Sequence, residues 1–351
     1  MKIHRRAGPG RSSIGLDIGA SEVRAVQFFR AGGAADAGAR PPVVRDAVFP
    51  RRGDPGPYAA PDAEEMAWIA GVLARRGFQG VRVTLLAPDG ACSTHVVDLP
   101  DRDSGAPAEA IARAEVARAR RCAPDRFELA SWYLPKRGRT ERGMAVACDS
   151  ARLAALLDAA EAGGLSPAAV DLEEAALARA CHPELAAEPD AVHAVLRVGW
   201  NSTLGVLTLG ELVLYTRRFE VGVGHLLGRF RDRCGLSWHD ARRVLDAHDP
   251  VGERPDAFEQ GARTVWSALA ERLGSELDTA ITYVSHAHRS ASVGRVWLAG
   301  YGAGRPELLG GLDEILGMPV APADGWNRTS ADGPRNARLA VAAGLAGRFD
   351  A

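Results

Sequence analysis

The chain has no run approaching the ~20 apolar residues that a membrane-spanning helix needs. Its basic start, M-K-I-H-R-R-A-G-P-G-R, is followed by no apolar stretch of the kind a signal peptide carries. Cysteine is sparse: Cys92, Cys122, Cys148, Cys181 and Cys234 are odd in number, scattered, and contain no C-x-x-C pair. That argues against an extracellular disulfide framework and for a reducing compartment. Neither charge sign dominates, since 43 Lys and Arg face 44 Asp and Glu for a net charge of −1. A nucleic-acid binder normally shows a basic excess or stripe, so no nucleic-acid partner is expected.

What is present is the balance of a soluble globular protein, with 46% hydrophobic and 25% charged residues. At 351 residues the chain suits two lobes better than one core. Residues 14–29 read as strand, glycine-containing turn and strand, followed by a third strand at 43–49. A helix over 62–77 opens at Asp62 or Pro61 with Glu64 and Glu65 in its first turn, and a buried strand follows at 81–87. Residues 94–168 read as a small inserted α/β module with a charged hairpin at 136–142. A short strand at 170–172, a helix from Glu173 and a polar connector at 182–190 complete the first lobe. From 191 three strands, several helices, a strand at 295–299 and an Ala-rich helix at 336–347 make up the second. The expected division is a disordered basic tail at 1–11, a first lobe at 12–93 with 169–190, the module at 94–168, and a second lobe at 191–351.

The informative feature is duplication. Ile14–Phe29 and Ala194–Tyr215 both run strand, small-residue turn, strand, with turns D-I-G-A-S at 17–21 and R-V-G-W-N-S-T at 197–203. Small side chains let backbone N–H groups converge on a phosphate, so Gly19, Ala20 and Ser21 are candidate phosphate contacts. Asp17, at the strand end, is a candidate partner for a hydrated Mg²⁺. Taken alone, the same loop is equally the pattern of a hairpin whose Asp caps a turn. A third turn, L-A-G-Y-G-A-G-R at 298–305, lies between a strand and a helix with Pro306 in its first turn. It suits an anion or the flat face of a base.

The three turns in this order resemble the actin/Hsp70/sugar-kinase ATPase superfamily, and within it the PilM family of type IV pilus assembly, related to MshI and FtsA. The resemblance spans residues 12–347. It includes V-R-V-T-L-L-A-P (81–88), A-P-D-R-F-E-L (123–129), the stretch 163–180, F-E-V-G-V-G-H-L (219–226), C-G-L-S-W-H-D-A (234–241) and V-W-L-A-G-Y-G-A (296–303). It implies a two-lobed actin-like (duplicated ribonuclease H-like) α/β fold with an FtsA-type inserted module. It also implies ATP and Mg²⁺ between the lobes and a cleft for the cytoplasmic N-terminal tail of a PilN-like inner-membrane protein. The chain would then be cytoplasmic, peripheral at the inner membrane through that partner, with a homo-oligomer as a further option.

Carried over by residue, Asp17, Gly19, Ser21 and Arg24 match the first phosphate motif, and Gly199, Ser202 and Thr203 the second. Gly300 and Gly302 match the adenosine motif, and Glu173 the acidic residue that can orient an attacking water. Two positions depart from the pattern. Arg197 stands where the second motif starts with Asp, so a cation replaces a metal-side anion, free to pair with a phosphate or with Asp17. Tyr301 stands inside the glycine triplet, where its ring would crowd a nucleotide or stack on it. Both changes point to weak or absent hydrolysis. The alternative is an active ATPase or small-molecule kinase of the same superfamily. His286 and His288, two apart on a helix, face different directions and make a poor metal pair. Cys148, in a strand, reads as a small core hydrophobe.

Overall fold

The computed structural model describes residues 10–29, 43–53, 56–88, 90–135, 141–246, 257–288, 291–327 and 332–349. The loop read at 31–42, residues 136–140 of the charged hairpin and most of the basic tail lie outside them. Among the described residues, no helix is long and apolar enough to cross a membrane.

Two five-stranded sheets share one topology. In the first, β1 (Ile14–Ile18), β2 (Glu22–Phe29), β3 (Val43–Pro50), β4 (Arg82–Leu86) and β8 (Ser166–Asp171) run in the order β3-β2-β1-β4-β8. In the second, β9 (Ala191–Val198), β10 (Thr203–Leu209), β11 (Leu212–Phe219), β12 (Ser292–Gly300) and β13 (Val320–Pro322) run β11-β10-β9-β12-β13. In each, the first three strands are an antiparallel meander and the last two join in parallel. Parallel neighbours need crossover connections. The first is α1 (Ala63–Arg75), which buries Met66, Ile69 and Leu73 at helical spacing and is capped by Asp62. The second includes α6 (Val223–Cys234), α7 (Trp238–Asp246) and α8 (Ala257–Ala287). α8 buries Val265, Trp266, Leu269, Leu273, Leu277, Ala280 and Val284 on one face.

A third, antiparallel sheet holds β5 (Cys92–Leu99), β6 (Phe127–Tyr133) and β7 (Glu141–Asp149) in the order β5-β7-β6. It is backed by α2 (Ala108–Arg120), whose Ala112 and Val116 pack with Val97, Phe127 and Ala145. The next helix, α3 (Ser150–Ala162), turns the other way: Leu156 and Ala160 join the apolar cluster of Ile14, Leu16 and Val83. Three elements are longer than, or missing from, the sequence reading. β8 starts at Ser166 rather than Val170, because pairing with β4 holds the S-P-A-A stretch extended despite its low β-propensity. The connector at 182–190 begins with a short helix, α5 (His182–Leu185), that buries Leu185, and β13 completes the second sheet. His288 falls just past the end of α8 rather than inside it.

The sheets meet at two helices, α4 (Glu173–Ala180) and α10 (Gly333–Ala346). α10 is buried along Leu339–Ala346, where alanines and glycine allow close approach. A Cβ on Gly344 would sit 1.8 Å from the Ala176 carbonyl oxygen, and one on Gly15 would sit 2.0 Å from that of Ala342. Both obstacles are backbone, which cannot step aside as a flexible side chain can. Substituting Gly344→Ala is therefore expected to lower the unfolding free energy by about 2 kcal/mol or more, overpacking outweighing the gain in helix propensity. Gly310→Ala, in α9 (Pro306–Leu316) with nothing within 4 Å, is expected to be neutral or stabilising by about 0.5–1 kcal/mol. Urea unfolding of both variants checks the contrast in sign.

Candidate functional site

The two strand–turn–strand loops and the β12–α9 turn face one another, with the N-terminus of α4, around a cleft of about 910 Å³ counting the part open to solvent. Asp17, Gly19, Ala20, Ser21, Arg24, Glu173, Arg197, Ser202 and Tyr301 all line it, so nine of the residues singled out in the sequence meet at one cleft. Thr203, Gly300, Gly302 and Gly199 are not among the lining residues. Thr203 is buried and donates to the Val221 carbonyl at 2.6 Å. Gly300 (φ +82°) and Gly302 (φ +72°) occupy the left-handed region, and a Cβ there would meet the Val198 carbonyl oxygen at 2.2 Å and the Trp266 ring at 2.3 Å. Gly199 closes its own turn, its N–H donating to the Ser202 carbonyl at 3.0 Å.

The interior of the cleft is a chain of ion pairs. Antiparallel register sets Arg24 directly opposite Asp17, and Arg24 Nη1 donates to Asp17 Oδ2 at 2.8 Å. Glu22, two residues before Arg24 and so on the same face of β2, takes Arg24 Nη2 at 2.7 Å. From the second half of the chain, Arg242 reaches Glu22 Oε2 at 3.2 Å and Arg338 Nε donates to Glu22 Oε1 at 3.0 Å. Arg197 Nη2 lies 3.4 Å from Asp17 Oδ2, while its Nη1 is 3.1 Å from Glu173 Oε1. Arg218 completes the series, donating to Glu173 Oε2 at 2.9 Å and to Ser202 Oγ at 3.1 Å. Asp17, Glu22 and Arg24 are each no more than 2% exposed, so these charges are tolerated only because they are paired.

The protonation states follow. Burial alone would raise the Glu22 carboxyl, but Arg24, Arg338 and Arg242 outweigh it and hold it at about 2. Burial would likewise raise Glu173, yet Arg197 and Arg218 bring it below the ordinary carboxylate range. Its neighbour Glu174 is raised, by burial first and then by the Glu173 charge. Tyr301 is pushed up to about 12 by burial and by the Glu22 charge, so its hydroxyl keeps its proton. That hydroxyl is hydrogen-bonded to Ser21 Oγ, and the ring lies under the guanidinium groups of Arg24 (5.1 Å) and Arg338 (5.2 Å). Tyr301 thus fills the first strand–turn–strand loop from the opposite side.

Judged by these contacts, the donor set does not fit Mg²⁺. Asp17 Oδ2 is already held by two guanidinium groups, and although Oδ1 is buried without a partner, a divalent cation there would face Arg24 and Arg197. Among the described residues, no group of three or more His, Cys, Asp or Glu is placed to hold a metal ion. The turns are also internally engaged: the Gly19 N–H donates to the Glu22 carbonyl at 2.9 Å, and Ser21 Oγ is taken by Tyr301. Glu173, a weakened base bound by two arginines, is poorly placed to activate water. Sequence reasoning missed Glu22, Arg218, Arg242 and Arg338. Only Glu22 carried a signal, being a charged residue two positions from Arg24 in a strand with no exposed face.

Comparison with solved structures fits this architecture. A chain of the PilM–PilN type IV pilus biogenesis complex superposes with a TM-score of 0.74, at 23% identity over 96% of this chain and 98% of that one. The ethanolamine utilization protein EutJ of Carboxydothermus hydrogenoformans gives 0.54, at 12% identity over 97% and 91%. MreB 5 of Spiroplasma citri, bound to AMPPNP, gives 0.52, at 12% identity over 94% and 93%. The chain has the actin-like ATPase fold. No family model matches the sequence, and neither does any curated protein. Within the actin-like fold, the paired ten strands are the two lobes' sheets and the ion-pair chain lies between them.

The sign of the Glu22 shift sets a pH dependence. Its folded value lies below its ordinary 4.5, so its contribution is complete above pH 4.5 and is lost as the pH falls toward about 2. At ~1.36 kcal/mol per unit this amounts to about 3 kcal/mol. Stability measured by urea unfolding at stepped pH is expected to fall by that order across this window, and Glu22→Gln to flatten the decline.

Proposed function

We propose that this chain is a PilM-like assembly protein of a type IV pilus. It works at the cytoplasmic face of the inner membrane and binds the N-terminal tail of a PilN-like membrane protein. The observation that carries this reading is the superposition on a chain of the PilM–PilN complex, which covers both chains almost completely and includes the three-stranded module. In this reading the first lobe takes residues 12–91 and 150–190, in place of 12–93 and 169–190, and 191–351 form the second. The inserted module is better bounded at 92–149 than at 94–168, because α3 packs into the first lobe's core.

ATP hydrolysis is slow or absent in this proposal. The support is chemical: Arg197 pairs with Asp17 and Glu173, and Tyr301 with Ser21, at the positions where phosphates and metal would be handled. For the phosphates of ATP to bind, Arg197 would have to exchange these carboxylates for phosphate oxygens.

Two measurements test the reading. Titration of the full chain with a synthetic PilN-type N-terminal peptide is expected to show saturable binding with or without ATP. No binding in either condition refutes the assembly role. ATP affinity with and without Mg²⁺ tests the cleft: the wild type is expected to show little Mg²⁺ dependence, and Arg197→Asp to bind at least about tenfold more tightly with Mg²⁺ than without it, roughly the 1.4 kcal/mol of a restored metal contact. Rapid Mg²⁺-dependent turnover in the wild type, lost in Asp17→Ala, would instead favour an active ATPase.

A further inference from the structure

All five cysteines are free thiols, yet two are not independent. Cys92 in β5 and Cys148 in β7 are direct cross-strand partners. The Asp149 N–H donates to the Ala91 carbonyl at 3.0 Å, which makes 91 and 149 a hydrogen-bonded pair. The adjacent pair, Cys92 and Cys148, is therefore of the non-hydrogen-bonded type. There opposing Cα atoms lie about 4.5 Å apart and the side chains are closest. A disulfide spans Cα separations of about 4.4–6.8 Å. The two thiols are already within hydrogen-bonding reach of each other. The Cα spacing typical of such a pair falls inside that disulfide range.

Their accessibilities differ in a useful way. Cys148 is buried, at 7% exposure. Cys92 is partly exposed and lines the ion-paired cleft, beside Glu174 and Arg218. Exposure favours Cys92 as the first thiol a reagent meets. The hydrogen bond between the two raises the Cys92 pKa and lowers that of Cys148, so either can open the exchange with the other beside it to resolve it.

We propose that Cys92 and Cys148 form a reversible intramolecular disulfide, a thiol-based redox site at the wall of the cleft. With a low-molecular-weight disulfide such as oxidised glutathione, one of the two cysteines, as its thiolate, attacks one sulfur, the S–S bond breaks, and one glutathione thiolate leaves. The other cysteine, as its thiolate, then attacks the protein sulfur of the mixed disulfide and expels the second glutathione thiolate. The two cysteine protons go to the two leaving thiolates; the cysteines lose two electrons and the reagent gains them. The bond closes residues 93–147, all but the outermost residues of the three-stranded module, into a covalent loop fastened where β7 runs into α3. Such a bond in a reducing compartment is transient and reports redox state rather than serving as a permanent staple. The proposal does not depend on the pilus role.

The test equilibrates the full-length protein in glutathione buffers from reducing to oxidising, then unfolds it in N-ethylmaleimide and maps it by mass spectrometry. Alkylatable thiols are expected to fall from five to three, with one peptide pair linking Cys92 to Cys148 and full recovery in dithiothreitol. Cys92→Ser and Cys148→Ala are each expected to abolish the linked species. Five alkylatable thiols throughout, a stable glutathione adduct on Cys92, or a link between other cysteines overturns the proposal. Should a variant fail to fold, the wild-type map alone decides.

Discussion

The guanidinium of Arg24 is the point on which the cleft depends. It is a permanently charged group with almost no contact with water, and it is tolerable only because Asp17 and Glu22 hold two of its nitrogens. Glu22 in turn needs Arg242 and Arg338, and Asp17 shares an oxygen with Arg197. Each of those three arginines comes from the second half of the chain. The charge balance of the first sheet is therefore completed by the second, and closure of the cleft is part of what makes the first core stable.

This arrangement inverts the usual logic of a phosphate site. Convergent N–H groups and a lone carboxylate invite an anion and a divalent cation. Here the carboxylates have met internal cations and the hydroxyl of Ser21 has met Tyr301. The geometry of the loops survives while the demand for ligand charge is met from within. Such a network, shielded from solvent, is also little screened by salt, unlike a surface ion pair.

The fold was legible because its signals are local and repeated. Strand–turn–strand patterns at Ile14 and Ala194, the spacing of apolar residues in α1 and α8, and caps such as Asp62 all lie within short windows. β8 and β13 were harder, since their extended shape comes from pairing with β4 and β12 rather than from their own residues. In the site, Asp17, Arg197 and Tyr301 stood out as members of motifs or departures from them. Arg242 and Arg338 could not, because each lies on a helix far along the chain, and nothing nearby marks it as the partner of Glu22. Pairing between distant charges is set by the packing of lobes, a quantity no local pattern encodes. Glu173 shows the converse: its position was readable, but its weakened basicity depends on Arg197 and on Arg218, the latter forty-five residues away.

The contact between Tyr301 and Ser21 has a corollary. A tyrosine inside a glycine turn is not a neutral filler, for its ring also supports two cations and its hydroxyl closes a loop. Glycine at that one position would leave Arg24 and Arg338 over an emptied volume, and Asp in place of Arg197 would crowd carboxylates around Asp17. The two residues are therefore bound to their surroundings jointly, and changing either one alone costs more than its own side chain would suggest.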